Sequence, residues 1–265
     1  MKGIKLEGLR ALGDPASYAN YYYLNNADEL IFQDVVASLY DRNSLDEIIS
    51  NVAKNIFIPL TVGGGIRSIE NIESILRNGA DKVSINTAAT KNENLINEAA
   101  KEFGSSTICI SIEIIKKGSS YGVFVDNGRE DTNIDAFEWI KKVQDLGAGE
   151  VLITSVDNEG MRKGINIDLI EKIYKMLTVP AIYHGGVTSA NDLKILFEAG
   201  FNGAAIASLF HYEILNDINN LDHSPEEGNF TFANQFNASS PQSKVTKRIF
   251  SIKNEAIELG VPVRI

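Results

Sequence analysis

Two stretches of the sequence align without a gap: IPLTVGGGIRSIENIESILRNG (58–79) and VPAIYHGGVTSANDLKILFEAG (179–200). The offset is 121 residues, from Pro59 to Pro180, and it also superposes NADELIF (26–32) on GAGEVLI (147–153). Each long stretch joins an apolar run to a glycine turn and an amphipathic run, the pattern of a strand followed by a helix. A constant register across two such units predicts two half-barrels related by a pseudo-twofold axis.

The same strand-helix alternation runs through the whole chain, with about 25 residues per unit, which is the rhythm of a (β/α)8 barrel of the TIM type in the α/β class. Nearly continuous apolar runs suit strands buried on both faces of a parallel sheet. Seven strands are predicted, at 29–36, 57–62, 82–86, 107–113, 150–156, 180–184 and 203–208. Eight helices are predicted, at 15–26, 45–55, 69–78, 92–103, 132–146, 167–177, 190–199 and 248–260.

The repeat predicts one strand more than the sequence contains. The second half begins with TICISIE (107–113), and its counterpart at the same offset would precede Met1. We therefore expect a barrel whose first strand is missing from this sequence, with open edges on its second and eighth strands. Residues 1–6 could form a substitute strand in that gap.

Composition indicates a single globular domain over residues 1–265, with a polar insertion at 222–247 before the last helix. A net charge of −10 argues against nucleic-acid binding. No apolar run approaches the roughly 18 residues of a membrane span and no signal peptide is present, so the expected location is the cytoplasm. The lone Cys109 is expected to be a small buried hydrophobe. His211 and His223 show no metal-ligand spacing, and neither a metal nor a cofactor is predicted.

Glycines and small polar residues follow four predicted strands, at the barrel end where active sites lie. Free amides at such turns can hold phosphate, although a glycine pair can also be a simple turn. Two matched sets predict a substrate with a phosphate at each end. The sets are Gly64 and Gly65 with Asn86 and Thr87, and Gly185 and Gly186 with Ala207 and Ser208.

Between these sets a proton-transfer group is needed, and Glu113 at the end of the fifth strand can serve as general acid or base. The alternative is a solvated loop carboxylate. Asp34 and Glu159 could each orient substrate hydroxyls or only bind water. His184 could act as an acid or base, contact a phosphate or, as the favoured interpretation, pack as a neutral ring at the rim.

At the opposite barrel mouth, the strand starts carry Glu29, Lys82 and Glu150. Charged residues on this face usually contribute to stability. A ring of both charge signs could also gate a small molecule that passes through the barrel.

The segments TVGGGIRS, GADKVSINTAA, FGSSTICISIE, GAGEVLITSVDNEG and AIASLFH resemble the cyclase subunit of imidazole glycerol phosphate synthase, from histidine biosynthesis. The resemblance covers about 1–215 and 249–265. It implies a lyase that uses ammonia from a glutaminase (glutamine amidotransferase) subunit bound at the N-terminal barrel face. The substrate would be a doubly phosphorylated ribulosyl-formimino compound, and the products imidazole glycerol phosphate and an aminoimidazole carboxamide ribotide.

The resemblance also implies residue roles. Glu113 would be catalytic, and Asp81 would meet the glutaminase. Glu29, Lys82 and Glu150 match the family's ammonia gate. Substrate or its phosphates would contact Lys2, Gly64, Gly65, Asn86, Thr87, Thr154, Glu159, Gly160, Gly185, Gly186, Ala207 and Ser208.

Several positions depart from the family pattern. The first-strand aspartate and the arginine of the gate have no counterpart in this sequence, and Glu113 and Glu159 stand where the family has aspartates. His184 replaces a small residue. These departures resemble divergent paralogues, some of which assist an amidotransferase in acetamidino modification of surface sugars. Two alternatives therefore stand beside the cyclase: such a paralogue, and a non-catalytic phosphate-binding barrel.

Overall fold

The computed structural model describes residues 2–5, 7–10, 14–34, 45–211 and 249–265. The predicted insertion at 222–247, His223 and the side chain of Lys2 lie outside the described part. The end of the predicted strand 29–36 beyond Asp34 lies outside it as well.

Strands and helices alternate along the chain. The strands are β1 (Lys2–Ile4), β2 (Glu7–Arg10), β3 (Leu30–Gln33), β4 (Leu60–Gly63), β5 (Lys82–Ile85), β6 (Ile108–Lys117), β7 (Ser120–Val125), β8 (Glu130–Asp135), β9 (Glu150–Ser155), β10 (Ala181–His184) and β11 (Gly203–Ala205). The helices are α1 (Pro15–Leu24), α2 (Leu45–Ala53), α3 (Ile69–Arg77), α4 (Thr87–Lys91), α5 (Asn94–Phe103), α6 (Ala136–Asp145), α7 (Ile167–Ile173), α8 (Ala190–Glu198) and α9 (Ile249–Glu258).

Seven parallel strands form the barrel sheet, in the order β3, β4, β5, β6, β9, β10, β11. These are the seven strands that the sequence predicts, so the nearly closed barrel of the TIM type is confirmed. Within the described residues the sheet ends at β3 and β11, the second and eighth barrel strands. The first seven residues of the central β6 are buried, whereas all of β11 is only half-buried, because an edge strand lacks one neighbour.

The internal repeat is present in the hydrogen bonds of the structure. The N–H of Leu60 donates to Asp81 Oδ2 at 2.8 Å, and that of Ala181, 121 residues later, donates to Asn202 Oδ1 at 3.1 Å. Ser68 and Ser189, at the same offset, cap α3 and α8 through their side chains. The two half-barrels thus repeat the bonds that close each strand-helix unit.

The N-terminal strands form a separate hairpin. Among the described residues, β1 pairs antiparallel with β2 in a two-stranded sheet, so the expectation that residues 1–6 join the barrel gap is wrong. After β1, the N–H of Lys5 donates to the carbonyl of Glu159 at 2.9 Å. That contact holds the hairpin against the loop that follows β9, at the C-terminal mouth of the barrel.

The predicted helix at 132–146 is partly wrong, because α6 begins only at Ala136. The preceding chain forms two antiparallel strands, β7 and β8, which extend the sheet from the long β6. Asp126, Asn127 and Gly128 take positive φ values of 53°, 59° and 76°, the conformation that Asn-Gly turns favour. Asp135 then caps α6 by accepting from two backbone N–H groups.

The core lies between the barrel sheet and its helices. Isoleucines of β6 pack there beside Trp139 of α6, and Cys109 is fully buried, as expected. In the described ranges, no helix is both long enough and apolar enough to cross a membrane.

Candidate active site

One row of side chains crosses the C-terminal ends of neighbouring strands. Glu113 of β6 is in register with Thr154 of β9. Thr154 in turn is in register with His184 of β10, and His184 with Ala205 of β11. Cross-strand neighbours in a parallel sheet point to the same face. The isoleucines that alternate with Glu113 pack into the core under the helices, so this row faces the barrel axis.

Glu113 is buried, with 8% of its surface exposed, and both carboxylate oxygens accept hydrogen bonds. Asn86 Nδ2 donates to Oε1 at 2.9 Å, and the N–H of Gly128 donates to Oε2 at 2.7 Å. Burial raises the pKa of Glu113 to about 7, against the lowering effect of the bond from Gly128. Glu113 is therefore a fixed carboxyl group that can take or give a proton near neutral pH, not a solvated loop carboxylate.

The raised pKa of Glu113 predicts a loss of stability with rising pH. The unfolded chain releases this proton near the usual value of 4.5 and the folded chain only near 7. Between those values the folded chain binds more protons, so the free energy of unfolding falls as pH rises. Between pH 5 and pH 8, the free energy of unfolding of the wild type should fall by on the order of 2 kcal/mol more than that of Glu113→Gln. Chemical denaturation of both proteins at the two pH values measures the difference, and parallel pH curves would contradict it.

The first predicted phosphate set follows two neighbouring strands, since Gly63 is in register with Ser84. At Gly64, φ is 105° and an added Cβ would lie 2.2 Å from the carbonyl oxygen of Asp34, so the fold itself requires glycine there. Thr87 is the first residue of α4. Asn86 Oδ1 is buried without a hydrogen-bond partner among the described residues, while its amide nitrogen holds Glu113.

The second predicted set lines one open cleft. Three residues of the β9–α7 loop, Glu159, Gly160 and Arg162, lie in the same cleft. The predicted residues that line it are Glu159, Gly160, Gly185, Gly186, Ala207 and Ser208. The structure thus brings together all but one of the residues predicted around this site, and the remaining one, Thr154, lies in the adjacent row.

Arg162 is a residue of the cleft that the sequence analysis missed. Its Nη2 donates to the carbonyl oxygen of Ser208 at 3.0 Å. Burial lowers the pKa of Arg162, which still leaves a guanidinium charged at neutral pH. It places a positive charge beside the glycine amides of Gly185 and Gly186. Two adjacent cations in MRKG (161–164), in the loop after a predicted strand, were the sequence signal for a positive charge at this site.

His184 lies half-buried at the rim, as the last residue of β10, between two polar side chains. Its Nε2 lies 3.1 Å from Glu159 Oε2, and its Nδ1 lies 3.3 Å from Thr154 Oγ1. The interpretation of a ring packed at the rim stays a prediction, and the structure adds a neighbour that the sequence separates by 25 positions, the carboxylate of Glu159.

At the N-terminal mouth, Lys82 Nζ lies 3.2 Å from Glu29 Oε2 and 2.9 Å from Glu150 Oε2. Burial lowers the pKa of Lys82, but the hydrogen bond and charge of Glu150, with those of Glu29, raise it above its usual value. The three residues predicted for this mouth form one cluster. Asp81 is exposed beside it and accepts the Leu60 N–H.

Comparison with known proteins matches residues 1–216 to the model of the histidine biosynthesis protein family. The chain belongs to this family. It is 50% identical over 195 residues to imidazole glycerol phosphate synthase subunit HisF of Legionella pneumophila, covering 73% of this chain and 92% of the relative. The HisF subunit of Campylobacter concisus is 44% identical over 212 residues, 80% of this chain and 84% of the relative. The HisF subunit of Natranaerobius thermophilus is 39% identical over 229 residues, which cover 86% of this chain and 91% of the relative.

Membership of the histidine biosynthesis protein family confirms the resemblance seen in the sequence. The match ends at residue 216, close to the limit of about 215 that the motifs indicate. All of the strand ends described above lie within it. The mouth residues therefore belong to the part of the chain that the family shares.

The charge cluster at the N-terminal mouth of this family member should contribute measurably to stability. Glu150 is 8% exposed, and Lys82→Met would leave its carboxylate buried without a cation. We expect the free energy of unfolding to fall by about 3 kcal/mol. The matched control is Lys142→Met, which removes a half-exposed pair with Glu93 and should cost less than about 1 kcal/mol. Urea denaturation measures both changes, and an equal fall in the free energy of unfolding for the two variants would contradict a buried ion pair at Lys82.

Proposed function

We propose that this chain is an ammonia-dependent lyase, the cyclase subunit of an imidazole glycerol phosphate synthase. It would convert a doubly phosphorylated ribulosyl-formimino substrate into imidazole glycerol phosphate and an aminoimidazole carboxamide ribotide. The observation that carries the proposal is Glu113, a buried carboxyl at the barrel mouth held by Asn86 and Gly128. Similarity to HisF subunits over most of the chain supports the same activity.

The chemistry requires proton transfer in both directions. Ammonia loses protons as it forms carbon–nitrogen bonds, and the departing amine gains one. A carboxyl whose pKa is about 7 can act as base in one step and as acid in the next. Glu113 accepts from Asn86, a member of the first predicted phosphate set, which supports contact of Glu113 with the reacting part of the substrate.

The two phosphates would bind at the two sets of strand ends. At one end the amides of Gly185 and Gly186 and the guanidinium of Arg162 offer donors and a positive charge. At the other end Gly64, Gly65, Asn86 and Thr87 offer backbone amides and a hydroxyl. Lys2 would add a further cation from the N-terminal hairpin.

Ammonia would enter at the opposite mouth from a glutaminase subunit that binds near Asp81 and the Lys82 cluster. Polar residues line the inward face of the sheet between the two mouths: Thr61, Ser84, Ser111 and Thr154 are all buried. Ser84 Oγ and Glu150 Oε1 have no hydrogen-bond partner among the described residues. Such groups can form hydrogen bonds to ammonia as it moves along the barrel axis, which supports a path from the glutaminase to Glu113.

The test is turnover by the purified chain with the bisphosphate substrate and ammonium chloride. The proposal predicts that both products form without any glutaminase, and that glutamine supports the reaction only after that subunit is added. Tight substrate binding without product formation would instead indicate the non-catalytic phosphate-binding barrel.

A further inference from the structure

We propose that Thr154, His184 and Glu159 form a proton relay, and that it provides a second acid-base group beside Glu113 at the barrel mouth. The inference rests on the proposed function for its substrate. Its geometry is independent of that function, because it lies in three side chains brought together by β9, β10 and the loop between β9 and α7.

The two contacts of the imidazole, the 3.1 Å approach of Nε2 to Glu159 and the hydrogen bond between Nδ1 and Thr154, set the direction of the relay. An ionised carboxylate only accepts, so the imidazole nitrogen that faces Glu159, Nε2, carries the proton. Nδ1 is then the acceptor, and the hydroxyl of Thr154 donates to it. The Thr154–His184 distance of 3.3 Å is long for such a bond, and catalytic hydrogen bonds commonly shorten only when substrate is bound. A hydroxyl, an imidazole and a carboxylate in this order form the arrangement that activates a hydroxyl.

The relay lies where substrate would be. Thr154 is the direct cross-strand neighbour of both Glu113 and His184. Glu159 and Gly185, the residue after His184, line the cleft that contains Arg162. The side chains of His184 and Glu159 are only 19% and 13% exposed, and Thr154 is 4% exposed, so little water competes for these contacts.

The proton balance is simple. A substrate N–H or O–H gives its proton to Thr154 Oγ1 as the hydroxyl proton of Thr154 passes to His184 Nδ1. The imidazolium is stabilised by Glu159, and no bond other than those to hydrogen changes. The reverse transfer returns a proton to the product. Glu113, on the other side of Thr154, would then work in the opposite sense, as acid while the relay is base.

The kinetic test uses variants that keep shape. Thr154→Val removes only the hydroxyl, and His184→Gln keeps a donor toward Glu159 but cannot carry a proton. Each should lower kcat with ammonium by about 100-fold while KM changes less than about threefold. The double variant should be no worse than either single one, because the residues act in one chain. The kcat of Thr154→Ser should be at least about tenfold higher than that of Thr154→Val, because serine restores the hydroxyl.

The matched control is Thr178→Val, the same chemical change near the start of β10 at the far barrel end, which should leave kcat unchanged. If these residues had only a structural role, His184→Gln would change kcat little, or the fold-losses in kcat of the two single variants would multiply in the double variant. Either result would overturn the relay while wild-type turnover still supported the proposed function.

A second measurement needs no turnover. Nitrogen-15 NMR of the imidazoles, with His184 assigned among the three histidines by its loss in His184→Gln, should show the Nε2–H tautomer in the wild type. Glu159→Gln should shift that population toward Nδ1–H. An Nδ1–H tautomer in the wild type, or a spectrum that Glu159→Gln leaves unchanged, would contradict the relay even if the chain turned out not to be a cyclase.

Discussion

Glu113→Gln is expected to lower ammonium-dependent turnover by about 1,000-fold, with a change of less than about threefold in substrate affinity. Glutamine keeps the length and shape of the side chain and can still accept from Gly128 or Asn86. It cannot exchange a proton at neutral pH, which is the property that burial gives to Glu113. The loss should therefore appear in kcat rather than in KM.

The matched control is Glu138→Gln, which removes the same charge from an exposed position in the first turn of α6. Its turnover should equal that of the wild type, which separates a local effect from a change in net charge. Unchanged turnover in Glu113→Gln would remove this residue from the mechanism and leave the relay through His184 as the remaining acid-base group.

Gly186→Ala is expected to raise KM by about 100-fold, because this substitution disturbs the cleft that would hold one phosphate. Gly186 has a φ of 86°, and an added Cβ would lie 2.3 Å from the carbonyl oxygen of Gly164 and 2.9 Å from Cβ of Asn158. The backbone must move to relieve these contacts, which misplaces the amides that face the cleft. Steady-state kinetics with ammonium, on protein shown by circular dichroism to be folded, measures the change.

Gly200→Ala supplies the control for backbone strain. Gly200 has a similar φ of 84°, but an added Cβ would meet no atom within 4 Å, and the residue lies outside the cleft. It should lose some stability and keep the wild-type KM. Equal KM values for the two alanine variants would show that the cleft at Gly186 does not bind the substrate.

The barrel could be predicted because its signals are local and repeated. The aligned stretches at 58–79 and 179–200 place a strand, a turn and a helix twice, and the structure repeats even the Leu60–Asp81 bond as Ala181–Asn202. The repeat also predicts Gly185 and Gly186 beside Ala207 and Ser208, because the C-terminal ends of neighbouring parallel strands meet at one edge.

The rest of the site depends on contacts that sequence spacing does not reveal. Gly128 reaches Glu113 only because β6 turns back into the β7–β8 extension, where the sequence analysis placed the start of a helix. The alternation in SYGVFV (120–125) and the Asn127–Gly128 turn were the missed signals. His184 gains its partner from a loop conformation that brings Glu159 back over β10, and no periodicity encodes such a contact.

Nitrogen-15 ammonium tests the central claim most directly. The purified chain would be incubated with the doubly phosphorylated substrate and labelled ammonium, and both products would be examined by mass spectrometry. The proposed cyclase predicts one labelled nitrogen in imidazole glycerol phosphate and none in the released ribotide. Substrate that binds but yields no labelled imidazole, under conditions where a known HisF subunit labels its product, would contradict the claim.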